Sequence, residues 1–513
     1  VLVACSLLFV VIAADRPSLF AATSHAGFFP GWMAGPLGGL WPGLTRNGTT
    51  LRWLFTAMLV AMYGCYLLAL AYVPRVADAR LRARWAIAAV VAVHAIFFLA
   101  PPMALTDIFN YVNYGRMEIV HHLNPYTTYP ILEPHNDPSY ALSNWHQLLS
   151  PYGPLFTLLT FALVGLGVAA SFWAIKAVLV AASLGTILLV WRCARLLELD
   201  PVKAIVLVGL NPIVLVWGLG GDHNDFLIVF AIVFGFYLLL LARARGVGEA
   251  DRSAAPSGVK GAPLGSTADP GIDGASADPA SDPAAMRPPA VTGLSARIAG
   301  WLWPLSALEM GAGAAFVAAT ALKASGGILI PIVLAALLRT PRRLVQVLLG
   351  MVLASAIVGG ASLIAFGLHI PDLSTQSQVV TSISVPNLIG LALGSGGETE
   401  TLHSLLSGVL ALSILGCCAM AYRRRESIAA SGWATVALLL TLGWVLPWYI
   451  LWLLPLAALA GSRRLRTSAL VIGAYLIVAW APASGLLWSA IDFYPQKTPL
   501  GRLHQRYVKE LLN

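Results

Sequence analysis

The chain is dominated by long apolar runs, each close to the thickness of a lipid bilayer and each bounded by arginines or by a polar turn. Roughly 20 apolar residues span hydrocarbon as a helix, and the sequence supplies about a dozen such stretches. They are too long and too continuous for outer-membrane strands, so a helical bundle is the expected way to satisfy the backbone polar groups. Composition agrees: 58% hydrophobic and 11% charged residues over 513, with a mean hydropathy of +0.78, exclude a soluble globular chain. The fold class expected is an all-α polytopic membrane protein.

Orientation follows from the arginines. Basic clusters fall at Arg75 to Arg84, Arg192 to Lys203, Arg243 to Arg245, Arg339 to Arg343, Arg423 to Arg425 and Arg463 to Arg466. Lys and Arg in short loops mark the cytoplasmic side. With all of these inside, the connections near 15–50, 106–170, 220–225, 322–325, 368–401 and 446–448 fall outside. Pro154 to Ala170 is apolar but barely long enough to cross, and counting it as a span would invert the next loop. It is therefore expected to be re-entrant or to lie at the interface, which leaves about thirteen crossings. Val1 to Ala14 is shorter than a span and lacks an initiator Met. The expectation is that it begins inside a longer helix rather than being a signal peptide.

Residues 246–298, rich in Ala, Gly, Pro, Ser and Asp, show no apolar periodicity and read as a disordered cytoplasmic linker. They divide the chain into an N-terminal transmembrane part, 1–245, carrying the outer loop 106–170, and a C-terminal part, 299–513. The latter ends in a basic amphipathic tail, Leu500 to Leu512. No internal repeat links the two parts. The cysteines Cys5, Cys65, Cys193, Cys417 and Cys418 give neither a disulfide framework nor a metal spacing. The net charge of +9 sits in short inner loops. It is explained by positive-inside bias and contact with anionic headgroups rather than by nucleic acid. The sequon at Asn47 carries no weight.

An ionisable residue where a helix leaves lipid is costly to place without a reason, and Asp107 follows an apolar stretch ending at Leu105. It is the first candidate for chemistry. The same outer loop supplies Tyr111, Arg116, His121, His122, Glu133, His135, Asp137, His146 and Tyr152. A second connection, Gly220-Gly221-Asp222-His223-Asn224-Asp225, holds more polar side chains than a glycine turn needs, which favours a ligand-facing loop. Lys176, about one turn inside a helix that begins on the outer side, and Lys323, at an outer helix junction, together suggest an anion at membrane depth. A lipid phosphate is the natural candidate, with snorkelling as the alternative for either lysine alone.

These residues carry a resemblance. Thr106-Asp107-Ile108-Phe109-Asn110-Tyr111, Gly115-Arg116, Leu123-Asn124-Pro125-Tyr126 and Ser150-Pro151-Tyr152-Gly153-Pro154-Leu155 resemble the first outer loop of actinobacterial polyprenol-phosphate-mannose-dependent α-1,6-mannosyltransferases. Leu210-Asn211-Pro212, the 220–225 turn, Leu322-Lys323-Ala324, and Leu446-Pro447-Trp448-Tyr449 with Trp452 follow in the family's order. The resemblance implies the GT-C class of membrane glycosyltransferases. The chain departs from it at Asp222, at Phe109-Asn110 and in the long linker.

The chemistry can be read beside that resemblance. Nucleotide sugars are not available outside the cytoplasmic membrane and no soluble domain is present to hold one, so a membrane-borne polyprenyl-phosphate sugar fits as donor. Phosphate departs without protonation, so one general base suffices where inverting hydrolases need two carboxyl groups. Asp107 is the expected base. Lys323, Lys176 and Arg116 are the expected ligands of the donor phosphate. Tyr111, Tyr152, His223, Asn224, Asp225, Trp448 and Tyr449 are the expected sugar or acceptor contacts, although aromatic residues also gather at membrane interfaces. No cofactor is expected, with a divalent metal at His121, His122, His135 or His146 as the open alternative. The rival reading is a transporter or flippase of a lipid-linked sugar, disfavoured because the polar groups concentrate on one face. The expected partners are the lipid-linked donor, a glycan or glycolipid acceptor and the bilayer, with the site on the extracytoplasmic face of the cytoplasmic membrane.

Overall fold

The computed structural model describes residues 1–15, 30–40, 48–103, 107–254, 306–372 and 379–493, with only the backbone for 246–254. Among these the protein is helical, without strands. The N-terminal part comprises α1 (Leu2–Asp15), α2 (Gly48–Tyr72), α3 (Ala79–Phe98), α4 (Asp107–His121), α5 (Pro154–Phe161), α6 (Gly167–Leu196), α7 (Pro201–Gly209) and α8 (Asp225–Ala254). The C-terminal part comprises α9 (Ala307–Leu322), α10 (Ile330–Leu337), α11 (Pro341–Phe366), α12 (Val385–Ala392), α13 (Glu400–Arg424), α14 (Ser427–Thr441), α15 (Ile450–Leu459), α16 (Arg463–Trp480) and α17 (Ser484–Ala490).

Among the described residues, six helical segments are long and apolar enough to cross a membrane, and α16 with α17 makes a seventh if that pair, bent by 78°, is one span. Shorter apolar helices accompany them: α1, α9, α14, Ala324–Leu337 and Pro447–Leu459. The difference from a count of about thirteen lies in these shorter, broken helices. The protein is membrane-embedded.

Proline and glycine place the breaks. Helix α3 stops at Phe98 rather than running to Leu105, because Pro101-Pro102 cannot continue it. The chain then runs back under the 220–225 turn, where the Met103 N–H donates to the Gly220 carbonyl at 2.6 Å. Helix α5 is about 12 Å long at 1.5 Å per residue, too short to cross. Gly167, at φ +76°, separates it and a short 3-10 turn from α6. Pro212 ends the α7 region. There Asn211 Oδ1 accepts from the Ile213 N–H at 3.0 Å, and the Tyr66 hydroxyl donates to the Leu207 carbonyl at 2.7 Å. A π-helical turn, Val214–Leu219, then leads into the polar turn.

The two parts form one bundle. Helix α8 packs along α6 and α9, and α9 along α11. Arg343 ties three of these helices, with Nε on Glu309 Oε1 at 3.2 Å and a second guanidinium N–H on the Leu239 carbonyl at 2.8 Å. Helix α8 continues to Ala254, nine residues into the stretch read as a linker. The rest of that stretch, the Leu500 to Leu512 tail and the sequon residue Asn47 lie outside the described residues. All five cysteines are free. Every residue of α15 is buried, so it is the central post of the bundle.

Helix–helix contact in lipid relies on close approach through small residues. A Cβ on Gly350 would lie 1.9 Å from the Met310 carbonyl oxygen, and one on Gly313 2.1 Å from that of Val347. Gly350→Ala and Gly313→Ala should each destabilise the protein by about 1–3 kcal/mol, read as a lower thermal midpoint in detergent. Gly359→Ala, whose Cβ meets nothing within 4 Å, should leave the midpoint unchanged or slightly higher.

Candidate active site

A cavity of about 320 Å3 opens where the outer loop, the 220–225 turn, the Lys323 junction and the Pro447–Tyr449 turn converge. Its lining is largely apolar and aromatic, with Val379, Leu438, Leu442 and Leu446 beside Tyr111, Tyr152, Trp444, Trp448, Tyr449 and Trp452. Asp107, Asn224, Asp225 and Lys323 are its charged and polar floor.

Asp107 is the first residue of α4. The Trp145 indole N–H donates to its Oδ1 at 3.0 Å, and His223 Nδ1 lies 3.4 Å from its Oδ2. Burial alone would raise its pKa, but His223, Trp145 and the Lys323 charge outweigh it and hold the carboxyl below its ordinary value. The His223 ring stacks on Trp448, with centroids 3.5 Å apart, and its Nε2 has no hydrogen-bond partner among the described residues. Asn224 is 1% exposed, yet neither its Oδ1 nor its Nδ2 has a partner there. Native interiors seldom leave a buried amide unpaired, so a cavity-lining Asn in this state points to a ligand. The Asn224 backbone N–H is held by the Tyr111 hydroxyl at 3.2 Å.

Lys323 Nζ donates to Asp225 at 3.1 and 3.3 Å, and the Trp452 indole N–H donates to Asp225 Oδ1 at 2.7 Å. The ammonium also stands 5.1 Å from the Tyr449 ring centroid and 5.3 Å from that of Trp452. The outer loop docks directly on this junction, the Gly153 N–H donating to the Leu322 carbonyl at 3.0 Å. Only glycine fits there, since a Cβ would sit 2.1 Å from the Ala321 carbonyl oxygen.

Of the residues singled out in the sequence, Asp107, Tyr111, Tyr152, Asn224, Asp225, Lys323, Trp448 and Tyr449 line the cavity. His223 stands behind it against Asp107 and Trp448. Lys176 and Arg116 do not line it. Lys176 is about two and a half turns into α6, not one, and is 1% exposed; its Nζ donates to Asp222 Oδ1 at 2.9 Å. Arg116 grips Asp137 with Nε and a terminal nitrogen at 2.8–3.1 Å, and His121 meets the same carboxylate at 2.7 Å. Asp222 adopts φ +56°, which Asp tolerates better than most residues, and its side chain turns away from the cavity toward Lys176. Sequence reasoning missed Trp145, Asn110, Tyr114 and Trp444 as lining residues. An indole in a polar outer loop, in Asn144-Trp145-His146, was the available signal. No cluster of three or more His, Cys, Asp or Glu side chains suited to a metal occurs among the described residues.

Residues 20–339 match the family described as alpha-(1->6)-mannopyranosyltransferase, N-terminal domain. The chain belongs to that family. Residues 380–494 match the MptB C-terminal domain. Asp107, Asn224, Asp225 and Lys323 fall within the first match and Trp448, Tyr449 and Trp452 within the second, so the cavity is built from both. Over 406 residues the chain is 28% identical to an alpha-(1->6)-mannopyranosyltransferase of Mycobacterium tuberculosis. That match covers 73% of this chain and 65% of the relative, so it spans about two-thirds of the relative's length. No solved structure matches.

Beside the cavity, the loop between α4 and α5 is braced by a buried polar knot. The Asn113 amide donates to Glu133 and to Ser139, and Ser139 donates to Asp137. Burial pushes the Glu133 carboxyl up to about 7, with Asn113 opposing the shift and the Asp137 charge adding to it. A carboxyl whose folded pKa is raised binds its proton more tightly when folded. Its contribution therefore weakens as pH rises from about 4.3, the unfolded value, through the folded value. Glu133→Gln, which cannot lose a proton, should flatten the fall in thermal midpoint across that window. An unchanged slope would remove Glu133 as its source.

Proposed function

We propose that the protein is a membrane mannosyltransferase. In this reading it moves mannose from a polyprenyl-phosphate donor to a glycan or glycolipid acceptor, inverting the anomeric centre, on the extracytoplasmic face of the cytoplasmic membrane. The observation that carries the reading is that the Asp107 carboxyl and the Lys323 ammonium line one cavity together with aromatic and apolar side chains. Family membership supports mannose as the sugar. The basic clusters, read as cytoplasmic, support the sidedness.

The acceptor hydroxyl attacks the anomeric carbon while the bond from that carbon to the phosphate oxygen breaks. The hydroxyl proton passes to Asp107, and the bonding pair leaves with the phosphate. The Asp107 charge also favours the positive charge that develops on the sugar ring. Lys323 receives the leaving phosphate: an ammonium has three donors, and Asp225 engages part of that capacity. Asn224 supplies an unpaired donor and acceptor for sugar hydroxyls, and Trp448, Tyr449, Tyr111 and Tyr152 supply ring faces and edges. His223 keeps Asp107 in place. Lys176 and Arg116 act at one remove, the first neutralising Asp222 under the turn, the second holding the outer loop.

Transfer of labelled mannose from polyprenyl-phosphate-mannose to a short α-mannoside in membranes tests this reading. At equal expression, Asp107→Asn should lose about 100-fold or more of the wild-type rate. Lys323→Ala should fall comparably, whereas Arg116→Ala should lower thermal stability. Equal rates for wild type and Asp107→Asn would remove Asp107 from the chemistry. Absence of wild-type transfer from every lipid-linked sugar would favour a flippase of such a sugar.

A further inference from the structure

A second and larger cavity, about 640 Å3, lies at the other end of the bundle. It is lined by α2 (Leu67, Leu70, Ala71), the start of α7 (Lys203, Ala204, Leu207), Ala458 of α15, and α16 (Arg463, Arg466, Thr467, Leu470). The segment from Pro201 to Leu219 connects the two ends, roughly 25 Å apart at the rise of a helix. Both cavities touch α15, Trp452 at one and Ala458 at the other.

Three cations face this space, Lys203, Arg463 and Arg466, against one carboxylate, Asp200. That carboxylate is already engaged. Its Oδ1 accepts from the Val202 and Lys203 backbone N–H groups at 2.9 and 3.2 Å, and its Oδ2 pairs with Arg82 at 3.2 Å. No side-chain ion pair or hydrogen bond engages Lys203, Arg463 or Arg466 among the described residues. Positive-inside bias accounts for basic residues in the loops but does not require three of them around one hollow. The remaining lining is largely apolar, and Leu67 and Ala71 continue to the exposed face of α2.

We infer that this cavity binds a lipid phosphate, with Lys203, Arg463 and Arg466 holding the anion and the chain leaving between α2 and α16 along Leu67, Leu70 and Leu470. Two membrane sources share that chemistry, an anionic phospholipid headgroup and a polyprenyl phosphate. The site is separate from the transfer chemistry, and binding alone reads it.

Detergent-purified full-length protein, delipidated and titrated with phosphatidylglycerol, polyprenyl phosphate or inorganic phosphate, is read by native mass spectrometry. Wild type should retain at least one of the two lipids as a saturable adduct, and whichever it retains identifies the source. The triple variant Lys203→Ala, Arg463→Ala, Arg466→Ala should weaken that retention about tenfold or more. A control, Arg423→Ala, Arg424→Ala, Arg464→Ala, removes the same charge from exposed positions that do not line the cavity, and should bind as wild type does. Ala71→Trp keeps every cation but fills the mouth of the cavity, and should also lose the lipid. Each variant must elute and melt as wild type does to be scored. Equal weakening in site and control variants would assign retention to diffuse charge and overturn the site, as would wild-type binding by Ala71→Trp. Inorganic phosphate held as tightly as either lipid would overturn the role of the chain.

Discussion

The ion pair between Lys323 and Asp225 is the contact on which the cavity depends. It joins the first residue of α8 to the extended residue that caps the C-terminus of α9, and Trp452 of α15 completes it through its indole N–H. Residues far apart in the chain are thereby fixed at one depth. Asp225 is 1% exposed, and removing one partner of such a pair leaves an uncompensated buried charge at a cost of about 3–5 kcal/mol. Such a pair is weak evidence of net stability but a strong constraint on geometry. It sets the height of the cavity floor, and the outer loop docks on it through Gly153.

Around that floor the backbone is irregular. Pro212 with its π-helical turn, the 3-10 turns at Ala324–Leu329 and Pro447–Tyr449, and Pro101-Pro102 all interrupt helices near the cavity. Non-helical backbone at membrane depth is tolerated where protein or a cavity supplies its hydrogen bonds. Here Asn211 and the chain itself supply them, as in the Met103 to Gly220 and Gly153 to Leu322 bonds. The helices that face lipid, such as α11 and α13, are long and unbroken by comparison. Irregularity thus tracks the position of the cavity rather than the stability of the bundle.

Much of this was legible in the sequence. Apolar run length set the class, and the placement of the basic clusters brought the polar connections to one face, because ionisable residues in a membrane chain each need a local reason. Partner choice was not legible. Lys176 and Arg116 looked like phosphate ligands by type and depth. Their partners Asp222 and Asp137 lie 46 and 21 residues away and are set by how α6 and the outer loop fold back. Asp222, which had looked like a departure from the family pattern, is the residue that neutralises Lys176. Trp145 did not stand out in the sequence, because aromatic residues are common at membrane interfaces and only its 3.0 Å bond to Asp107 separates it from them.

The two ends of the molecule are unlike, and the difference bears on what the bundle can do. At one end a carboxylate, a lysine and aromatic rings surround a cavity of about 320 Å3; at the other, arginines and a lysine surround one of about 640 Å3. Between them stands α15, buried on every side, together with the close-packed Ile205, Val206 and Val208 of α7. A carrier working by alternating access would need comparable gates on both faces of a central site, with helices able to part between them. Close-packed interiors resist such parting, since each opened contact exposes surface with nothing to replace it. A bundle closed through its middle suits chemistry completed at one end rather than passage between the two.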